Sequence, residues 1–112
     1  MAGFVKGDVV VVPFPFSDLS HAKRRPALVI TTLEGDDVIL CQITSKPIRD
    51  RYSISLDDGD FEVGGLKQSS NIRPQRIFTA DSHIILYRIG SLKIGKFSEV
   101  VGKAVEIIRG QS

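Results

Sequence analysis

Val9, Val10, Val11 and Val12 stand in a row and are followed at once by Pro13-Phe14-Pro15-Phe16; no other feature constrains the fold as strongly. A branched Cβ favours extended backbone, and an unbroken apolar run of this length reads as a strand covered on both faces. The two prolines carry no ladder donor, so the strand over residues 7–16 must leave the sheet or become an edge where they stand. A polar, basic loop is expected over residues 17–25.

The next segments repeat the theme on a shorter scale. Ala27, Leu28, Val29 and Ile30 form the apolar run of a second strand over residues 26–32. Glu34-Gly35-Asp36-Asp37 has the composition of a tight turn. A third strand over residues 38–44 places Val38, Leu40 and Gln42 on one face and Ile39, Cys41 and Ile43 on the other. Tyr52, Ile54 and Leu56 alternate with serines as a fourth, and residues 70–79 are extended around Pro74. Ile84-Ile85-Leu86 fits a short strand or a turn of helix equally well. Near the C-terminus Phe97, Val100, Val101, Ala104, Val105 and Ile108 recur at helical spacing, with Glu99, Lys103 and Arg109 opposite them. Short strands, many turns and one terminal helix predict a small, strongly bent antiparallel sheet.

With 112 residues the chain is read as one domain over residues 1–112. A domain of this size buries roughly two-thirds of its unfolded surface, so it needs no staple. Cys41 has no second cysteine to bridge with, and its place in the third strand suits core filling better than nucleophilic work. No stretch approaches the roughly 20 apolar residues of a membrane span, and a cytoplasmic protein without a membrane partner is expected. The net charge of +2 decides little, but its distribution is uneven. Acidic residues gather at Glu34, Asp36 and Asp37 and at Asp57, Asp58, Asp60 and Glu62; basic ones gather at Lys23, Arg24 and Arg25 and at Lys46, Arg49 and Arg51. Such segregation suits a positive face toward phosphates, and it also suits two solvated loops.

The chain has no phosphate-binding glycine loop, no dinucleotide fingerprint and no His or Cys pair at metal-ligand spacing, so neither a cofactor nor a metal is expected. What remains is a set of basic and hydroxyl residues at strand ends. Pro26 disfavours helical backbone at Arg25 and holds it extended. Thr44-Ser45 closes the third strand just before Lys46-Pro47. If the second and third strands form a hairpin, the start of one lies beside the end of the other, and Arg25 and Thr44 become neighbours. A planar guanidinium binding two phosphate oxygens beside a hydroxyl is a plausible phosphate site. A surface arginine paired with Asp18 or Asp50, beside a threonine that merely suits a strand, fits the spacing as well.

Gly7-Asp8-Val9-Val10, the segment Arg25-Pro26-Ala27-Leu28-Val29-Ile30, and Ile43-Thr44-Ser45 resemble the MazF/PemK family of toxin endoribonucleases. Gln75-Arg76-Ile77-Phe78-Thr79 and Ile89-Gly90-Ser91-Leu92 resemble it more loosely, in the same order along nearly the whole chain. The resemblance implies an SH3-like barrel of about five to seven short antiparallel strands with a C-terminal helix. It implies a homodimeric toxin of a type II toxin-antitoxin system, with a cognate antitoxin as partner and DNA binding through the antitoxin complex. It further implies metal-independent, sequence-specific cleavage of single-stranded RNA, with Arg25 and Thr44 at the catalytic positions.

On that reading the ribose 2′-hydroxyl attacks the adjacent phosphorus, Arg25 stabilises the phosphorane charge, and Thr44 orients the phosphate. Lys23, Arg24, Ser45, Lys46 and Arg49 would bind flanking RNA, with Phe16 as a candidate stacking platform, although Phe14 and Phe16 fit the core at least as well. An arginine is a poor general base, and the assisting candidate is His21, four residues before Arg25; a histidine without a role there is the plainer reading. Two rivals stand beside the nuclease: a toxin of the same fold that inhibits a protein such as DNA gyrase, and a non-catalytic nucleic-acid-binding module. An amphipathic, docked terminal helix is expected to argue against the first.

Overall fold

A computed structural model describes residues 3–15 and 22–110 of the chain. The valine run behaves as its composition demands. In β1 (Asp8–Pro15), Val9, Val10 and Val12 are wholly inaccessible and Val11 nearly so. β2 (Ala22–Thr32) pairs with β1 along its length, from Val9↔Leu28 to Pro15↔Ala22, whereas β7 (Tyr87–Leu92) pairs only from Asp8↔Ser91 to Val11↔Tyr87. Pro13 and Pro15 therefore fall where β1 has lost its second neighbour. The prolines mark an edge, and the strand does not leave the sheet. Because the β1 carbonyls still accept there, β2 starts at Ala22 and Lys23, Arg24 and Arg25 lie in a strand, where a loop was expected over residues 17–25.

β2 forms the expected hairpin with β3 (Asp37–Thr44), Ala27 facing Gln42 and Leu28 facing Cys41. Gly35 takes φ +76° in the connecting turn, a backbone conformation open to glycine. β6 (Ser70–Asp81) pairs with β3, β4 (Ile54–Leu56) pairs with β6, and β5 (Phe61–Gly64) pairs with β7. The described residues thus form one seven-stranded antiparallel sheet in the order β4-β6-β3-β2-β1-β7-β5, curled into a half-barrel. Pro74 is fully buried inside a bulge: the β3–β6 pairing jumps from Cys41↔Ile77 to Ile43↔Ile72, and Pro74 needs no ladder partner between them. Ile84 closes a 3-10 turn over Ser82–Ile84, and the chain then enters β7. Neither β5 nor β7 was expected from the sequence.

Pleating splits the core in two. Val9, Leu28, Cys41, Ile43, Ile72 and Val100 pack on the helix side, and Val10, Val12, Ala27, Val29 and Leu40 pack on the other. The helix α1 (Ile94–Arg109) ends at Gly110, whose left-handed backbone lets its N–H reach the carbonyls of Glu106 and Ile107. α1 buries Val100 and Ala104, but Ile94 is 83% and Ile108 76% exposed, and Val105 is also exposed. Its apolar surface is thus wider than the face it docks, contrary to a simple amphipathic, docked helix. No helix among the described residues is long and apolar enough to cross a membrane.

Candidate active site

The β2–β3 register carries the two candidate catalytic residues to one end of the sheet. Continuing the ladder two residues beyond Ala27↔Gln42 sets Arg25 across from Thr44, and cross-strand partners share a face. Both border a cleft of about 290 Å³, together with Arg24, Ser45, Leu66, Lys67, Gln68 and Ser70. The expected pair is therefore brought together. A wall of the cleft comes from the segment between β5 and β6, carrying Lys67 and Gln68, which sequence reasoning missed. A lone lysine in a polar loop gives no local signal, and its place depends on the pairing of β5 with β7.

Thr44 is 9% exposed, and its Oγ1 accepts the Lys46 N–H at 3.2 Å. That bond fixes the hydroxyl oxygen and leaves its own hydrogen to donate outward. Asn71, paired with Thr44 across β6, donates from Nδ2 to the Lys46 carbonyl at 3.2 Å, so the backbone leaving the cleft is held at both of its polar groups. The segment that follows is pinned by Asp50. Its Oδ1 accepts from Ser53 N at 2.8 Å and Tyr52 N at 3.0 Å, and its Oδ2 accepts from Gln75 Nε2 at 3.2 Å, with Arg73 Nη2 at 3.6 Å. The Ser53 N–H, with the Tyr52 N–H, Gln75 and Arg73 behind it, holds this carboxyl below its ordinary range.

The other expected residues are more scattered. Lys23 and Arg24 are exposed on the two-stranded end of β1 and β2, facing Phe14 and Pro13. Ser45 borders the cleft; Lys46 and Arg49 are exposed on the connection beyond it and do not line it. Phe16 and His21 lie outside the described residues. His83 sits by the Asp37↔Asp81 pair, at the opposite end of β3 from Thr44, with Nδ1 2.7 Å from Asp81 Oδ1. The His83 backbone N–H and ring lower the Asp81 carboxyl. Cys41 is core filler: burial pushes its thiol up to about 12, and Sγ–H donates to the Arg73 carbonyl at 3.1 Å. Among the described residues, no three His, Cys, Asp or Glu side chains gather as a metal site.

A larger concavity of about 490 Å³ lies elsewhere, lined chiefly by the outer residues of β6 from Arg76 to Ala80 with Pro13, Gln42 and Ile84. It is more open and more apolar than the Arg25 cleft, and its chemistry is that of a contact surface.

Residues 5–108 match the family model described as PemK-like, MazF-like toxin of type II toxin-antitoxin system. Solved structures of the same fold include a mycobacterial endoribonuclease in complex with its cognate antitoxin, at 11% identity over 98% of each chain with a TM-score of 0.69. A MazE-MazF complex from Deinococcus radiodurans is similar at 19% identity over 97% of this chain and 98% of that one, with a TM-score of 0.72. The Mycobacterium tuberculosis toxin MazF-mt6 is similar at 16% identity over 94% and 98%, with a TM-score of 0.69. No curated protein sequence matches the chain.

Proposed function

The chain belongs to the PemK-like, MazF-like toxin family of type II toxin-antitoxin systems, and from that premise we propose that it is a metal-independent, sequence-specific endoribonuclease of single-stranded RNA. The observation that carries the reading is the convergence of Arg25 and Thr44 on one cleft, with Arg24 and Lys67 beside them.

The 2′-oxygen of one ribose forms a bond to the adjacent phosphorus while the bond to the 5′-oxygen of the next nucleotide breaks. The products are a cyclic 2′,3′-phosphate and a free 5′-hydroxyl; the proton lost by the 2′-oxygen is balanced by one gained at the leaving oxygen. Negative charge builds on the non-bridging oxygens in between. Arg25 offers those oxygens a planar, bidentate donor, and stabilisation of this kind is realised mainly in the transition state. Thr44 donates its hydroxyl hydrogen to a phosphate oxygen from a position set by the Lys46 N–H. Lys23, Arg24, Ser45, Lys46 and Arg49 meet the flanking backbone. A general base is not assigned, with His21 as the sequence candidate.

The protein acts in the cytoplasm as a homodimer. Exposed Ile77 and Ile84, which line the 490 Å³ concavity, and nearby Leu86 support a second copy on that face. A cognate antitoxin restrains it, as the antitoxin complexes among its structural neighbours suggest.

The test is cleavage of a long single-stranded RNA in excess EDTA. Wild type cuts at a recurring sequence, and Arg25→Ala does not while keeping its circular dichroism spectrum and melting temperature. Full cutting by Arg25→Ala would sink the site assignment. One observation favours the rival protein-inhibiting reading, namely the apolar surface that Ile94 and Ile108 leave exposed on α1, as a protein contact needs. Inhibition of gyrase supercoiling without any RNA cutting would establish that rival.

A further inference from the structure

The groove does not end at Arg25. A second cleft of about 270 Å³ shares Arg24, Arg25, Pro26, Leu66 and Lys67 with the first, and extends it to Gly65, Val11, Tyr87 and Ile89. Thr44, Ser45 and Ser70 belong to one half, and the aromatic ring belongs to the other. The pairings Val11↔Pro26 and Val11↔Tyr87 set Tyr87, Val11 and Pro26 in one row on one face of the sheet. Arg24 shares that face by the pleat, and Arg25 borders both halves.

Tyr87 is 49% exposed, although the apolar residues beside it in the row are buried or half-buried. Its backbone is not loose. It pairs with Val11, and the next residue, Arg88, reaches buried Asp8 with Nη1 3.5 Å from Oδ1. A half-exposed ring on a pinned strand, sharing one cleft with Arg24, Arg25 and Lys67, meets the physical requirements for holding a nucleobase with its phosphate.

We propose that this second cleft is a nucleotide subsite: the base next to the scissile phosphate stacks on Tyr87, and that nucleotide's own phosphate lies between Arg24 and Lys67. The inference rests on the nuclease reading above and deepens it, because it names where the RNA is held beyond the cut phosphate. Stacking on a phenol ring tolerates any base, so Tyr87 contributes affinity at that position more than base identity.

The experiment is an abasic scan across the mapped cleavage site, done in parallel on wild type, Tyr87→Ala and Tyr87→Phe, with KM and kcat separated. In wild type one position flanking the cut should raise KM about tenfold when its base is removed. Tyr87→Ala should have the higher KM already and lose sensitivity at that position alone, with kcat little changed, while Tyr87→Phe keeps the wild-type pattern. Equal sensitivity of wild type and Tyr87→Ala at every position would overturn the subsite and leave the nuclease reading standing. Failure of wild type to cut any RNA would overturn both.

Discussion

Arg25 becomes a candidate site residue through the residues around it. Pro26 behind it keeps its backbone extended, the β2–β3 register sets Thr44 across from it, and Lys67 closes the cleft from another strand connection. Thr44→Val keeps the shape of the threonine but removes both its donor and the acceptor of the Lys46 N–H, and should lower kcat about 10- to 100-fold and the melting temperature by about 5 °C, measured by steady-state cleavage and thermal denaturation. An unaltered kcat would reduce Thr44 to a strand former. Arg25 and Thr44 were legible in the sequence because a hairpin relates them by counting. Lys67 and Tyr87 were not, since each is brought in by β5 or β7 and no local pattern joins them to Arg25. Of the two carboxylates the sequence offers to Arg25, Asp18 lies outside the described residues, and Asp50 holds Tyr52, Ser53, Gln75 and Arg73. Its folded pKa is depressed, so its stabilising contribution is present above the ordinary carboxylate value near about 3.9 and is lost as pH falls below that toward the folded value. Asp50→Asn should therefore lower the urea midpoint at pH 7 and flatten its fall between neutral pH and pH ~3.

At the level of elements, legibility followed the strength of the pattern. β1, β2 and β3 carry long β-branched or alternating runs; β1 and β3 are legible to within a residue at their ends, while the polar start of β2 from Ala22 to Arg25 reads as loop. β5 is Phe61-Glu62-Val63-Gly64 and β7 contains Gly90, so charge, shortness and glycine hid both. Those glycines are the reason the two strands pair as they do. A Cβ on Gly90 would stand 2.3 Å from the Val63 carbonyl oxygen, and one on Gly64 would stand 2.1 Å from that of Ile89. Gly90→Ala should cost on the order of 3 kcal/mol in chemical denaturation. It should also raise KM for RNA, because β5 leads directly into the segment that carries Lys67. A destabilised Gly90→Ala protein with wild-type KM would show that the cleft does not depend on the β5–β7 pair. The terminal helix was legible as a helix but not in what it covers: periodicity found the apolar positions, and only packing could say that Val100 and Ala104 are used while Ile94 and Ile108 are left outside.

The whole molecule combines a rigid sheet with an uneven charge distribution that its net charge of +2 conceals. If Lys23, Arg24, Arg25, Lys46, Arg49 and Lys67 each neutralise a phosphate, binding of single-stranded RNA should weaken with salt at a log–log slope of about −4, since each contact contributes roughly −0.7. Lys67→Gln should make that slope shallower by one such step, as read by fluorescence anisotropy. A curled antiparallel sheet and a terminal helix follow from short strands, tight turns and apolar periodicity, and family membership agrees with them. The chemistry is tested most directly by the ends it leaves. After cleavage in EDTA, the downstream fragment should accept a label from polynucleotide kinase without prior phosphatase treatment, and the upstream fragment should carry a cyclic phosphate. Arg25→Ala should yield neither at more than about 1% of the wild-type rate. Downstream fragments that need phosphatase before labelling would contradict attack by the 2′-hydroxyl, and wild-type amounts of product from Arg25→Ala would contradict the role given to Arg25.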